Sequence, residues 1–97
     1  MKYEKIGEIG QPTITSHLHE VMQLNPVFEL EVYQAFNKYV NCEWGDLDPE
    51  DKELNDNAVQ EPGSDRILAA YKLSKGKIYI ITEWDRSYTT LMFADEY

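Results

Sequence analysis

Cysteine is almost absent from this chain, with Cys42 the single thiol among 97 residues. One thiol excludes an internal disulfide and any metal site built from several thiolates. Long hydrophobic runs are missing as well. No apolar stretch approaches the roughly 18 residues of a membrane span, and the opening Met1-Lys2-Tyr3-Glu4 lacks a signal-peptide pattern. Positive charge is the third scarcity: nine Lys and Arg face 18 Asp and Glu, a formal net charge of −9. That balance argues against direct nucleic-acid binding, which needs clustered cations to displace counterions, and against anionic membrane surfaces. Internal repeats and low-complexity tracts are lacking too. What remains is an ordinary globular composition, 42% apolar and 28% charged, in a chain long enough for one core. Residues 1–97 therefore read as one α+β domain expected in the cytoplasm.

The charge is concentrated. Between Glu43 and Asp65 stand nine acids and one base, Lys52, whereas the other 74 residues hold nine acids and eight bases. The acidity belongs to the middle quarter of the chain.

Hydrophobic spacing sets the organisation. Tyr3, Ile6 and Ile9 suggest a short N-terminal strand, which Pro12 interrupts and Thr13-Ile14-Thr15 continues as an edge. Ser16 is the expected cap of a short helix reaching Leu24. Asn25-Pro26 starts a second helix, and Phe28, Val32, Ala35, Phe36, Tyr39 and Val40 form a single stripe of 3.6-residue period along it. Trp44-Gly45-Asp46 breaks the pattern. Asp48-Pro49 repeats the start signal for a third helix to about Val59, with Leu54, Ala58 and Val59 as its apolar seam. After Glu61-Pro62-Gly63-Ser64 the chain turns to strands: Ile67–Leu73, a hairpin at Ser74-Lys75-Gly76-Lys77, Ile78–Ile81, a turn at Glu83–Ser87, and Tyr88–Phe93. The expectation is two to three helices packed on an antiparallel β-meander. Ile78-Tyr79-Ile80-Ile81 is apolar on both faces, so either the helices wrap the sheet or a homodimer covers its second side.

Few residues promise chemistry. His17 and His19 stand two apart, a spacing that splays them on a helix, and read as solvated. Cys42 has no neighbouring His or base to activate it and reads as structural. Glu83 and Asp85 would share a strand face as paired acids, yet no phosphate loop or activated serine accompanies them. No catalytic residue, metal or cofactor is expected. Two surfaces compete for function. One is a polar cluster of Arg66, Glu83, Asp85, Arg86 and Thr90, with Ser87 and Thr89 nearby; it reads as ion pairs pinning a hairpin, Arg86 to Asp85 or Arg66 to Glu83. Alternatively its arginines hold a nucleotide-like ligand bidentately. The other is the acidic segment: Glu43, Asp46, Asp48, Glu50, Asp51, Glu53 and Asp56, with Trp44 and Trp84 as anchors. Read blandly, it is a solvated face; read functionally, it imitates a phosphate backbone and docks a basic protein surface.

The stretches Trp44-Gly45-Asp46…Glu50-Asp51…Asn55, Arg66–Tyr71, Ile80-Ile81-Thr82-Glu83-Trp84-Asp85-Arg86-Ser87-Tyr88-Thr89-Thr90 and Asp95-Glu96-Tyr97, with the opening Met1–Ile9, resemble a family of small bacterial proteins. Its members are encoded on plasmids, conjugative elements and prophages and are commonly called plasmid-related; some carry a type I restriction-subunit label. The chain departs from the family pattern at Trp84 and at Gly10-Gln11-Pro12-Thr13. The resemblance implies a mobile-element accessory protein in a bacterial host cell, without implying catalytic residues. In that setting the acidic segment suggests inhibition of a host defence nuclease, of anti-restriction or anti-CRISPR type. A second, fold-level similarity is to RelE/ParE-type toxins, whose RNA-binding members are basic; here Lys72, Lys75, Lys77 and Arg86 would have to supply that cleft.

Overall fold

The computed structural model describes residues 8–61 and 63–97. The first part of the expected N-terminal strand, Tyr3 and Ile6, lies outside the described residues. Within them the order is β1 (Gln11–Ile14), α1 (Ser16–Leu24), α2 (Pro26–Val40), α3 (Pro49–Gln60), β2 (Ile67–Leu73), β3 (Gly76–Thr82), β4 (Tyr88–Phe93) and a 3₁₀ turn (Ala94–Glu96). The sheet runs β1-β4-β3-β2, so the fold is α+β, with helices before a mostly antiparallel sheet.

One local reading needs correction. Pro12 does not interrupt β1 but sits inside it, paired with Thr89; β2, β3 and β4 form the expected antiparallel meander, and β1 adds to it as an edge strand parallel to β4. Gln11 donates to Ser87 O (3.1 Å) and Thr15 to Leu91 O (3.1 Å), so the donors at 11 and 15 face β4. In a strand, alternate residues face opposite edges, which turns position 12 outward, where proline's missing N–H costs no ladder bond. Gly10 makes the entry possible. Its φ is +64°, and a Cβ there would sit 2.3 Å from Arg86 O.

Of the three helices only α1 starts on a side-chain cap; α2 and α3 start instead on proline in the first turn, and neither Asn25 nor Asp48 makes the expected cap bond. Thr15, one residue earlier than expected, caps α1 by accepting from Leu18 N. Asn25 precedes Pro26 but spends its side chain on Val21 O (2.9 Å), closing α1 rather than capping α2. Along α2, Phe28, Val32, Ala35 and Tyr39 are buried and Phe36 and Val40 are half-buried, so the stripe faces the sheet. It meets Ile67, Ala69, Tyr71, Ile78, Ile80, Leu91 and Phe93 in one core. Each fully buried Phe, Ile or Val there contributes about 1.5–3 kcal/mol of transfer free energy.

Beneath the helices runs a buried polar chain. Tyr39 Oη and Thr82 Oγ1 are 2.6 Å apart, Thr82 Oγ1 and Thr89 Oγ1 are 2.7 Å apart, and Thr89 donates to Ile9 O at 2.6 Å. It links α2 to the two central strands and to the segment entering β1. Burial holds the Tyr39 phenol well above its usual pKa. On the sheet's other face, Ile81 and Ala70 are buried and Tyr79 packs edge-on against Tyr97, so the chain itself covers much of the second face of β3.

Candidate functional site

The outer edge of β2 explains the acidic segment better than its charge does. Edge strands expose unpaired N–H and C=O groups that invite strand addition. Here the edge is capped almost group by group. Ala70 donates to Trp44 O (3.4 Å) and accepts from Asp46 N (2.7 Å), a one-residue parallel bridge centred on Gly45. Gly45 has φ +74°, and a Cβ would lie 2.1 Å from Ala70 O, so only glycine lets the chain approach this closely. Asp46 Oδ2 then accepts from Lys72 N (3.0 Å), and Glu31 Oε1 accepts from Ser74 N (2.8 Å). At the other end Asn55 holds Leu68 by both its backbone groups (2.8 and 3.2 Å).

Trp44 is therefore corrected: it is buried, 4% exposed, and edge-on to Tyr39, so it is a core residue and not an interface anchor. Its indole donates to Asp56 Oδ1 (3.0 Å), which ties α3 to the loop. Trp84 is exposed at the β3–β4 turn. The seam of α3 also differs from expectation. Leu54 is exposed, while Asn55 and Ala58 are buried. The hydrogen bonds to Leu68 reward turning an amide, rather than a leucine, to the strand edge.

This rotation splits the acids into sets. Glu43, Asp46 and Asp56 line a groove of about 830 Å³ between α2, the 42–46 loop and α3, and share it with Lys38, Lys52 and Lys72. Asp51 turns to a smaller groove, of about 440 Å³, that also contains Asp65 and Arg66. With about 100° per residue, Glu50 and Glu53 fall together on the outer face of α3, beside Asn57 and away from Asn55. Both are exposed, as is Asp48 at the N-cap position. The single run of the sequence thus becomes two mixed-charge grooves and one outward acidic face.

The second candidate cluster does not assemble. Arg86 is 5% exposed, and its guanidinium is consumed by backbone carbonyls. Nη1 donates to Asp65 O (2.7 Å), Glu83 O (3.1 Å) and Trp84 O (3.1 Å), and Nη2 donates to Ala58 O (2.6 Å). It stitches α3 and both strand junctions together from a left-handed backbone, φ +61°. The expected pairing with Asp85 is replaced by these bonds. Asp85 instead accepts from Ser87 N (3.0 Å), and hydrogen bonding by the Ser87 side chain, with this backbone bond, holds its carboxyl below the usual range. Arg66 stacks on the Tyr97 ring and bonds its hydroxyl, on the C-terminal side. Thr90 Oγ1 meets Thr13 Oγ1 (3.2 Å) across β1–β4. Glu83 and Asp85 lie beyond the end of β3, in the turn, so they share no strand face. A bidentate ligand site needs a free guanidinium fork, and Arg86 has none to offer.

The remaining candidates are placed simply. His17 and His19 are exposed on α1, the former 5.0 Å from the Phe93 ring. Cys42 is half-buried with φ +61°, and burial together with Asp56 pushes its thiol up to about 11. Lys72 lines the mixed groove, while Lys75 and Lys77 stand at the β2–β3 hairpin beside a small cleft with Asp95. None of the three adjoins Arg86's carbonyl cage. Among the described residues no helix is long and apolar enough to cross a membrane. Comparison with known proteins finds no match for this chain among family models, curated protein sequences or solved structures.

Proposed function

We propose that the chain is a non-enzymatic binding protein that docks a basic protein surface through the outer face of α3. The carrying observation is the division of the acids. Glu50 and Glu53 fall on the outer face of the helix and Asp48 is exposed at its N-cap position, while the segment's single base, Lys52, lines the groove. Carboxylates fixed on one helix face favour a cationic partner by long-range attraction, with fast, salt-sensitive association. Leu54, exposed on the same helix, lines the groove that contains Asp51 and so borders that face.

The likeness to plasmid and prophage accessory proteins supports a setting in which such a partner is a nucleic-acid-binding defence protein. The acidic face would occupy the groove that normally takes a phosphate backbone. The small-ligand reading loses its central guanidinium to the backbone, and among the described residues Lys72, Lys75 and Lys77 form no basic cleft with Arg86 for the toxin reading. The test is capture: immobilised protein should retain a basic partner from bacterial lysate at low salt and release it near ~0.5 M salt, where screening is strong. Retention that is indifferent to salt would contradict the electrostatic reading.

A further inference from the structure

The groove of about 830 Å³ between α2, the 42–46 loop and α3 holds bases that the fold does not use. Lys38 reaches it from α2, Lys52 from α3 and Lys72 from β2, three of the five lysines among the described residues. Glu31, Glu43, Asp46 and Asp56 line the same groove, yet among the described residues none of the three ammonium groups takes part in an ion pair or a hydrogen bond. The acids are spent on the walls instead. Asp46 Oδ2 accepts from Lys72 N, Glu31 Oε1 from Ser74 N and Asp56 Oδ1 from the Trp44 indole. They do not gather as a cation would require: among the described residues no three carboxylate, imidazole or thiol groups come together around a point. What the groove leaves unused is donors, three on each ammonium.

The type of base selects the ligand. An ammonium is a point charge with rotatable donors and suits phosphate, whereas a carboxylate is held best by the planar fork of arginine; this groove is lined by lysine and by no arginine. Its volume falls within the roughly 300–1,000 Å³ of small-molecule sites and far exceeds one inorganic ion. Ala35 and Leu73, with the rings of Trp44 and Tyr71, supply apolar wall for an organic part. We propose that this groove binds a small organic molecule carrying at least two phosphate groups, held by Lys38, Lys52 and Lys72. The four acids still repel an anion through the Coulomb field, so binding depends on short contacts to all three lysines and is lost when two are removed. The site is separate from the outer face of α3 and does not rest on that reading.

Calorimetric titration of the full chain with adenosine triphosphate, pyrophosphate and citrate tests this, at low and at ~0.5 M salt. Both phosphates should bind saturably, raise the melting temperature and weaken in the higher salt. Lys52→Gln/Lys72→Gln should weaken binding about tenfold or more, with the circular dichroism spectrum and the melting curve of the free protein unchanged. Lys75→Gln/Lys77→Gln removes the same charge from the β2–β3 hairpin, outside the groove, and should keep most of the affinity. Asp48→Asn/Glu50→Gln/Glu53→Gln should also keep it, which separates this site from the proposed partner face. Failure of both phosphates to bind, binding of citrate alone, or equal weakening by the two lysine pairs would overturn the proposal.

Discussion

Asn55 clasps Leu68 by both its main-chain polar groups, donating Nδ2 to the carbonyl at 2.8 Å and accepting the N–H on Oδ1 at 3.2 Å. Among uncharged side chains, only the amides of asparagine and glutamine offer a donor and an acceptor in the spacing a strand edge presents. With the Gly45 bridge to Ala70 and the Asp46 bond to Lys72, it closes the edge of β2 against further pairing.

Asn55→Ala should therefore be costly for a helix residue. It removes two hydrogen bonds and leaves a half-buried N–H and C=O without partners, a loss of about 2 kcal/mol or more. Urea unfolding should show the midpoint fall with little change in slope. A shift below about 0.5 kcal/mol would mean that water or a neighbour replaces the amide freely.

Arg86→Lys should destabilise by about 2–4 kcal/mol, because an ammonium has the charge but not the planar fork that reaches four carbonyls on three segments. Thermal unfolding of the variant checks this. A melting temperature equal to the parent's would show that the guanidinium is dispensable to the fold and reopen the question of a ligand role.

Cys42 should be sluggish toward alkylation. A thiol raised from 9.0 to about 11 carries about 100-fold less thiolate near neutral pH, partly offset by that thiolate's higher nucleophilicity, so iodoacetamide should react slower than with a free cysteine by a factor on the order of 10 or more. Reaction at the rate of the unfolded protein would contradict its burial.

The same shift fixes the sign of the alkaline response. Groups whose folded pKa is raised, Cys42 with Tyr39 and Tyr71, give stability that is full below their unfolded pKa and is lost as pH rises toward the folded value. Stability should begin to fall above about pH 9 and fall faster above about pH 10, where exposed tyrosines ionise in the unfolded chain. A urea midpoint that rose across this range would have the wrong sign.

The sequence made the local decisions legible. The α2 stripe, the two Asx-Pro helix starts and the hairpin glycine all act within a few residues, so spacing alone locates them. It hid what depends on partners far along the chain. Nothing near Pro12 says that β4 will run parallel beside it, and nothing near Asn55 says that Leu68's backbone will outcompete Leu54 for the inward position. Arg86 misled for the same reason: a guanidinium among acids and hydroxyls looks like a binding group until Asp65 and Ala58 supply their carbonyls from 21 and 28 residues away. The acid run was visible as charge, but only the helix rotation divides it.

That division is tested most directly by comparing two sets of charge removals in the same capture experiment at low salt. Asp48→Asn/Glu50→Gln/Glu53→Gln neutralises the outer face of α3 and its exposed N-cap, and Glu43→Gln/Asp51→Asn neutralises acids that line the grooves. All five are exposed, so both variants should unfold within about 0.5 kcal/mol of the parent. The outward set should abolish retention of the basic partner while the groove set keeps most of it. Equal retention by the two variants would contradict the assignment of binding to the outer face of α3.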